Sequence, residues 1–331
     1  MSSASGSIAS QEFSKPGVHS ITFKDNFYPF ASEVREELLR HPKWIPMLQG
    51  STSGATMFHP HRQNGITTSH LLEEDRERFP QCMKFKDFIM QNIGVLFPLV
   101  GLNPADARLV EVNAMAYGAG AWLSPHTDFF GYANKQNRLI AWMLYLTAPE
   151  DGEWAADKGG AVRVWQPGGE EKRIYPRFNR FAMFRVHADS FHEIEKITWE
   201  PNWPHCRLAL SGWVQGPLQD DSNRNMRLYL QTSSAEERSS QNEASLQGEL
   251  ALHRLLAKQI AYCGADASLE LARTSELEQD YQAHREAPAG TCFIRRVAGP
   301  QGCIVVANEA GETVYFGALA GAEEKLRLGI R

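Results

Sequence analysis

The chain has 331 residues and a mass of 37.2 kDa, enough for one large domain or two. Its formal net charge of −5 leaves no basic excess to drive binding to phosphate backbones, so a nucleic-acid partner is not expected. No apolar run reaches the roughly 18 residues of a membrane span, the opening MSSASGSIASQEFS lacks the basic and apolar regions of a secretory signal, and the five cysteines show no CxxC, which together fit a cytoplasmic protein with reduced thiols.

In chain order, residues 1–17 read as a disordered lead. The extended segment DNFYPF precedes a helix expected over 31–41, where Val34, Leu38 and Leu39 fall at helical spacing. A second helix is expected over 82–97, with Phe85, Phe88, Ile89, Ile93 and Phe97 on one side. The periodicity then changes. Segments 107–117, 137–147, 160–165, 180–186 and 207–214 read as short strands separated by Gly, Pro and Asp, the pattern of a β-sandwich or barrel flanked by helices. Seven of the eight tryptophans lie between Trp122 and Trp213, which centres the main domain there. Residues 217–245 are polar and read as a linker. The tail, 246–331, reads as a small α+β module: an amphipathic helix ending at Gly264, a second helix around SLELARTSELEQDYQAHREA, and a three-stranded meander.

The segment that carries chemistry is Ser124-Pro125-His126-Thr127-Asp128, followed far downstream by Ser190-Phe191-His192-Glu193-Ile194. Residues i and i+2 of a strand share a face, so His126 and Asp128 can offer an imidazole and a carboxylate to one ion. A histidine from another strand would complete two His and one carboxylate around one face of an octahedron, the arrangement of non-haem Fe(II) oxygenases. Alone, HxD also occurs in solvated turns. Arg207 follows His192 by fifteen residues, on a strand whose Arg207, Ala209, Ser211 and Trp213 share a face. A guanidinium fork there suits the far carboxylate of a dicarboxylate; the alternative is a surface arginine at a strand start.

These residues resemble a family. VNAMAYGAGAWLSPHTD, NRLIAWMLYLT, KGGAVRVWQPGG, NRFAMFRVHADSFHEIEKI and RLALSGWV, in that order, are similar to the Fe(II)- and 2-oxoglutarate-dependent dioxygenases of the prolyl-hydroxylase type. The likeness covers about residues 18–216, which bounds the domain it implies; it is strong from 112 onward and weaker before. It implies a mainly β fold, a double-stranded β-helix or jelly-roll core with flanking helices. It implies metal ligation by His126, Asp128 and His192, and 2-oxoglutarate held by Arg207 and Tyr145. Tyr117 would line the pocket, Trp213 would wall it near the metal, and Arg138 would stand on the substrate side. The cofactors implied are Fe(II), 2-oxoglutarate and O2, with ascorbate in support. The activity implied is hydroxylation of an unactivated C–H, of a prolyl or other amino-acid residue in free, peptide or protein form, with release of succinate and CO2. The carboxylate Asp128 favours hydroxylation, since related halogenases lack it.

Some features depart from the pattern. His187 and His205 also lie near the third-ligand position, and the HEI context favours His192. The loop EPNWPH lengthens the path from His192 to Arg207, and Ala209 stands where some relatives place a hydroxyl. His59, His61 and His70 form a cluster that a second metal site could use; HPH in a loop reads instead as a solvated segment or as part of a lid over the substrate. The same cofactor chemistry could end in desaturation or ring closure, and a non-catalytic jelly-roll binding module is the remaining alternative. The tail is too short and too helical for the second, degenerate jelly roll of relatives that act on ribosomal proteins. It is expected to pack on the barrel or to mediate a homodimer, with positioning of a macromolecular substrate as its other use.

Overall fold

The computed structural model describes residue 13 and residues 21–41, 44–49, 63–126, 128, 136–165, 171–186, 190, 192–217, 250, 253–286, 293–296, 303–307 and 313–318. For 45–49, 63–70, 124–126, 136–137, 165 and the last three strands only the backbone is described.

Eight strands build the barrel: β4 (Leu109–Tyr117), β5 (Leu123–His126), β6 (Gln136–Tyr145), β7 (Val162–Trp165), β8 (Glu171–Ile174), β9 (Phe181–Arg185), β10 (His192–Ile194) and β11 (Arg207–Pro217). Every pairing is antiparallel, and the hydrogen-bonded order separates into β9-β6-β11-β4 and β5-β10-β7-β8. The chain thus passes back and forth between two four-stranded sheets. That alternation is the double-stranded β-helix, and the expected fold is borne out. Strand β3 (Gln63–His70) joins the sheets along one side, pairing Ile66 with Ala116 of β4 and Gln63 with Leu123 of β5. It forms a hairpin with β2 (Ile45–Gln49), and β1 (Thr22–Lys24) adds to the far edge against β9.

Period-two alternation sorts the strand residues onto two cores. On β4, Val110, Val112, Ala114 and Ala116 face out toward helices, whereas Met115 and Tyr117 face into the barrel. On β11, Leu208, Leu210 and Val214 face the helices, while Arg207 and Ala209 are buried on the other face. The outer layer comprises α1 (Ala31–Leu39), α2 (Pro80–Gln91) and α3 (Ile93–Leu99). Phe85, Phe88 and Tyr28 interlock there, with Phe27 stacked on Phe181 of β9 at 4.0 Å between ring centroids. Such aromatic contacts add to the area each ring buries. Phe13 also belongs to this core, against Phe27; the rest of the 1–17 lead lies outside the described residues.

Two helices occupy the region where the periodicity predicts one. Asn92 interrupts them: its side-chain amide donates back to the Phe88 carbonyl at 2.8 Å, and its backbone leaves helical geometry at φ −104°, ψ 10°. The N-terminus of α2 is closed from outside, since no side chain of Phe79 can cap it. Glu37 of α1 accepts from Gln81 N–H and Cys82 N–H at 2.8 and 2.9 Å, satisfying donors that a helix start leaves open.

A helix over 253–262, here α4, comes after the expected linker 217–245, of which all but Pro217 lies outside the described residues. It ends as its sequence predicts: Gly264 takes φ +72° and Ala265 N–H reaches back to the Ile260 carbonyl. Leu255 and Leu256 of α4 join the same apolar cluster as the barrel's outer face. Helix α5 (Ser268–Glu286) packs back on α4 through a His253–Glu270 contact of 2.7 Å, and strands Phe293–Arg296, Cys303–Ala307 and Thr313–Ala318 pair as the expected meander. Among the described residues no helix is long and apolar enough to cross a membrane.

Gly212 marks the tightest point of the central strand. A Cβ there would lie 1.8 Å from the Glu111 carbonyl oxygen and 2.8 Å from the Trp142 ring. Gly212→Ala is therefore expected to destabilise the barrel by about 1–3 kcal/mol, the usual cost of overpacking. A denaturant melt that matches the unmutated protein would show that the strand can move aside.

Candidate active site

The barrel interior holds two polar groups of side chains. The first surrounds Asp128, just past the end of β5, and His192, the first residue of β10. Backbone pairing sets His192 directly across from His126. The side chain of His126 lies outside the described residues. Asp128 and His192 are 4% and 6% exposed, and Asp128 Oδ2 lies 3.4 Å from His192 Nε2. His192 Nδ1 is 3.1 Å from the Ser190 carbonyl, an acceptor that matches a proton on Nδ1 and sets the ring so that Nε2 faces Asp128. The ring also rests 4.7 Å from the Phe184 ring.

Asp128 is gripped on both oxygens. Trp213 of β11 donates its indole N–H to Oδ2 at 2.7 Å, and Arg138 of β6 approaches Oδ1 with Nη1 at 3.4 Å. The Arg138 guanidinium lies over the Trp213 ring, its carbon 3.4 Å from the ring centroid. Trp213, expected as a wall of the pocket, thus touches Asp128 directly. Arg138, expected on the substrate side, reaches the same carboxylate.

The second group surrounds Arg207, at the start of β11. Strand register places it beside Tyr117. It is 1% exposed, its Nε–H donates to the Gly160 carbonyl at 2.7 Å, and its guanidinium carbon lies 5.2 and 5.1 Å from the Tyr117 and Tyr145 rings. No carboxylate among the described residues lies within ion-pair distance of it. Tyr145 donates its hydroxyl to the Ile174 carbonyl at 3.2 Å. Burial pushes its phenol up in pKa, while the Arg207 guanidinium pulls the other way, so it remains a neutral donor. Burying an uncompensated guanidinium is costly, so this pocket has the chemistry of a receptor for an anionic guest.

The residues expected at the site therefore gather as two sets: Asp128, His192, Trp213 and Arg138 in one, Arg207, Tyr117 and Tyr145 in the other. His205 is engaged elsewhere, with Nδ1 3.0 Å from Asp151. His187 and the side chains of His59, His61 and His70 lie outside the described residues. Gly160, Phe184 and Glu111 touch site residues without having been expected there. Glu111 accepts from Gln215 Nε2, and its Oε2 lies 3.8 Å from Arg138 Nε. An acid at an inward position of β4 is the signal that could have marked it.

The family model described as "2OG-Fe(II) oxygenase superfamily" matches residues 112–215. Over 115 residues the chain is 30% identical to the protein named prolyl 3-hydroxylase OGFOD1 of Xenopus laevis, covering 33% of this chain and 20% of that protein. It is 27% identical over 119 residues to prolyl 3-hydroxylase sudestada1 of Drosophila melanogaster, covering 34% of this chain and 21% of that protein. The match thus spans about a fifth of each curated relative. A Pseudomonas putida prolyl-4-hydroxylase structure superimposes with a TM-score of 0.42 at 19% identity, over 61% of this chain and 94% of that one.

Proposed function

We propose that this chain is an Fe(II)- and 2-oxoglutarate-dependent oxygenase that hydroxylates a prolyl residue in a peptide or protein, a reading supported by the match of residues 112–215 to the 2OG-Fe(II) oxygenase superfamily model and by the matched prolyl 3-hydroxylases. The observation that carries the reading is Arg207, a buried guanidinium with no acidic partner among the described residues, inside the same barrel as a facing carboxylate and imidazole.

The donor set fits a ferrous ion. Asp128 offers a hard oxygen and His192 an imidazole nitrogen oriented by the Ser190 carbonyl; His126 would supply the second nitrogen from the strand opposite. The pocket around Arg207 fits one end of 2-oxoglutarate, which Arg207 and the Tyr145 hydroxyl would hold. Bound iron and 2-oxoglutarate supply the activation of oxygen, with succinate and CO2 released. The chain's own contribution is placement. Trp213 and Arg138 hold the Asp128 carboxylate, Gly160 holds the Arg207 fork, and the apolar lining from Met115, Phe184 and Ile194 keeps water out of the barrel. The two prolyl 3-hydroxylases matched in sequence support the prolyl assignment.

The test is succinate formation with Fe(II) and 2-oxoglutarate, with and without proline-containing peptides, read together with a mass gain of about 16 on the peptide. Peptide-stimulated succinate with the mass gain supports the reading. Peptide that leaves succinate unchanged and unmodified, across a broad proline-containing library, overturns the prolyl assignment. A mass loss of about 2 in its place would mark desaturation.

A further inference from the structure

Glu111 has no place in the chemistry described so far, yet it sits one step from it. It lies on β4 directly across from Trp213 of β11 and faces the barrel interior. Gln215, two residues beyond Trp213 and buried, donates its side-chain amide to Oε1. Oε2 lies 3.8 Å from Arg138 Nε, with both side chains mostly buried. Arg138 spans the gap to Asp128, lying on Trp213 as it does so. Three adjacent strands, β4, β11 and β6, thus present Gln215, Glu111, Arg138 and Trp213 as one connected layer ending at the Asp128 carboxylate.

We propose that Glu111 is a positioning residue for the metal site: it holds Arg138 over Trp213 and offsets its charge, so that Asp128 keeps an oxygen available to a cation. The inference rests on the reading of Asp128 as a metal ligand. The physical argument concerns competition. A guanidinium whose only anionic neighbour is Asp128 closes on that carboxylate and opposes an incoming dication by charge and by occupancy. A second carboxylate behind the guanidinium divides its attraction. Arg138 divides its nitrogens between the two acids, with Nη1 3.4 Å from Asp128 Oδ1 and Nε 3.8 Å from Glu111 Oε2, and the Asp128 contact is longer than an optimal charge-assisted hydrogen bond of about 2.7–2.9 Å. Gln215 fixes Glu111 so that it cannot swing toward the metal itself.

The experiment is titration with Co(II), followed by its visible absorption, under anaerobic conditions without 2-oxoglutarate. Glu111→Gln keeps the size of the side chain and removes its charge. It is expected to weaken Co(II) binding roughly 3- to 10-fold, less than the 10- to 100-fold typical of residues touching the ligands themselves. With Arg138→Met already present, adding Glu111→Gln should change affinity less than 2-fold, because its effect runs through the guanidinium. Equal losses with and without Arg138 would show that Glu111 acts as an independent charge and would overturn the proposal. So would unchanged affinity in the single variant while Asp128→Asn no longer binds. Co(II) binding that survives in Asp128→Asn would overturn the metal reading and this inference together. Far-ultraviolet circular dichroism on each variant separates lost ligand placement from lost fold.

Discussion

Arg207→Ala is expected to raise the KM for 2-oxoglutarate by roughly 30- to several-thousand-fold, equivalent to about 2–5 kcal/mol for removing one partner of a desolvated charge pair. The size follows from the surroundings. The guanidinium is buried, Gly160 accepts from its Nε–H, and the Tyr117 and Tyr145 rings lie against it, so its loss leaves the guest carboxylate desolvated without its direct partner. Arg207→Lys should recover part of the loss, since it restores charge without the fork that also holds the Gly160 carbonyl. Tyr145→Phe should cost less, about 1.5–3 kcal/mol, because one hydrogen bond to a charged group is removed and the ring that packs on Arg207 remains. Succinate formation over a cosubstrate titration reads all three. An unchanged KM in Arg207→Ala would mean that another cation receives the carboxylate.

Asp128→Asn and His192→Ala are each expected to reduce succinate formation by more than about 100-fold, beyond the range usual for residues that only support a ligand. Asparagine is the better probe at 128. It keeps an acceptor for the Trp213 indole, whereas alanine would leave that buried N–H without a partner at a cost of about 1–3 kcal/mol. Neither variant should unfold the protein, since the barrel is held by two apolar clusters and by strand pairing, not by the metal. Full turnover in His192→Ala with loss in His187→Ala would move the third ligand to His187.

Much of this was legible because strand alternation and turn residues dominate 107–217. The period-two pattern that marked β4 and β11 also sets which side chains face inward, so Arg207 could be placed on the face of Trp213 from spacing, whereas Tyr117 came from the family resemblance. Other elements left weaker traces. The hairpin Ile45–Gln49 with Gln63–His70 joins the two sheets, but QNGITTSH has no run of alternating apolar residues to announce a strand. The break at Asn92 depends on a side-chain amide turning back to a carbonyl, which apolar spacing does not register. One partner of Arg207 and one of Arg138 were hidden for a different reason. Gly160 contributes a backbone carbonyl, which carries no side-chain signature, and Glu111 meets Arg138 only because β4, β11 and β6 lie side by side.

Helix α4 sets the Arg207 pocket in a wider frame. Leu255 packs so closely on Gly118 that a Cβ there would sit 3.3 Å from it, one residue beyond the Tyr117 that faces Arg207. Gln259 donates to the His41 carbonyl at 2.7 Å, tying the same helix to the end of α1. The cooperative unit is thus discontinuous in sequence, running from the N-terminal helices through the barrel and resuming after residue 250. Covalent continuity and folding continuity part company here. A fragment trimmed to 112–215 would therefore bare the apolar faces that α1, α2 and α4 now cover, and would lose with them the packing that backs the Arg207 pocket.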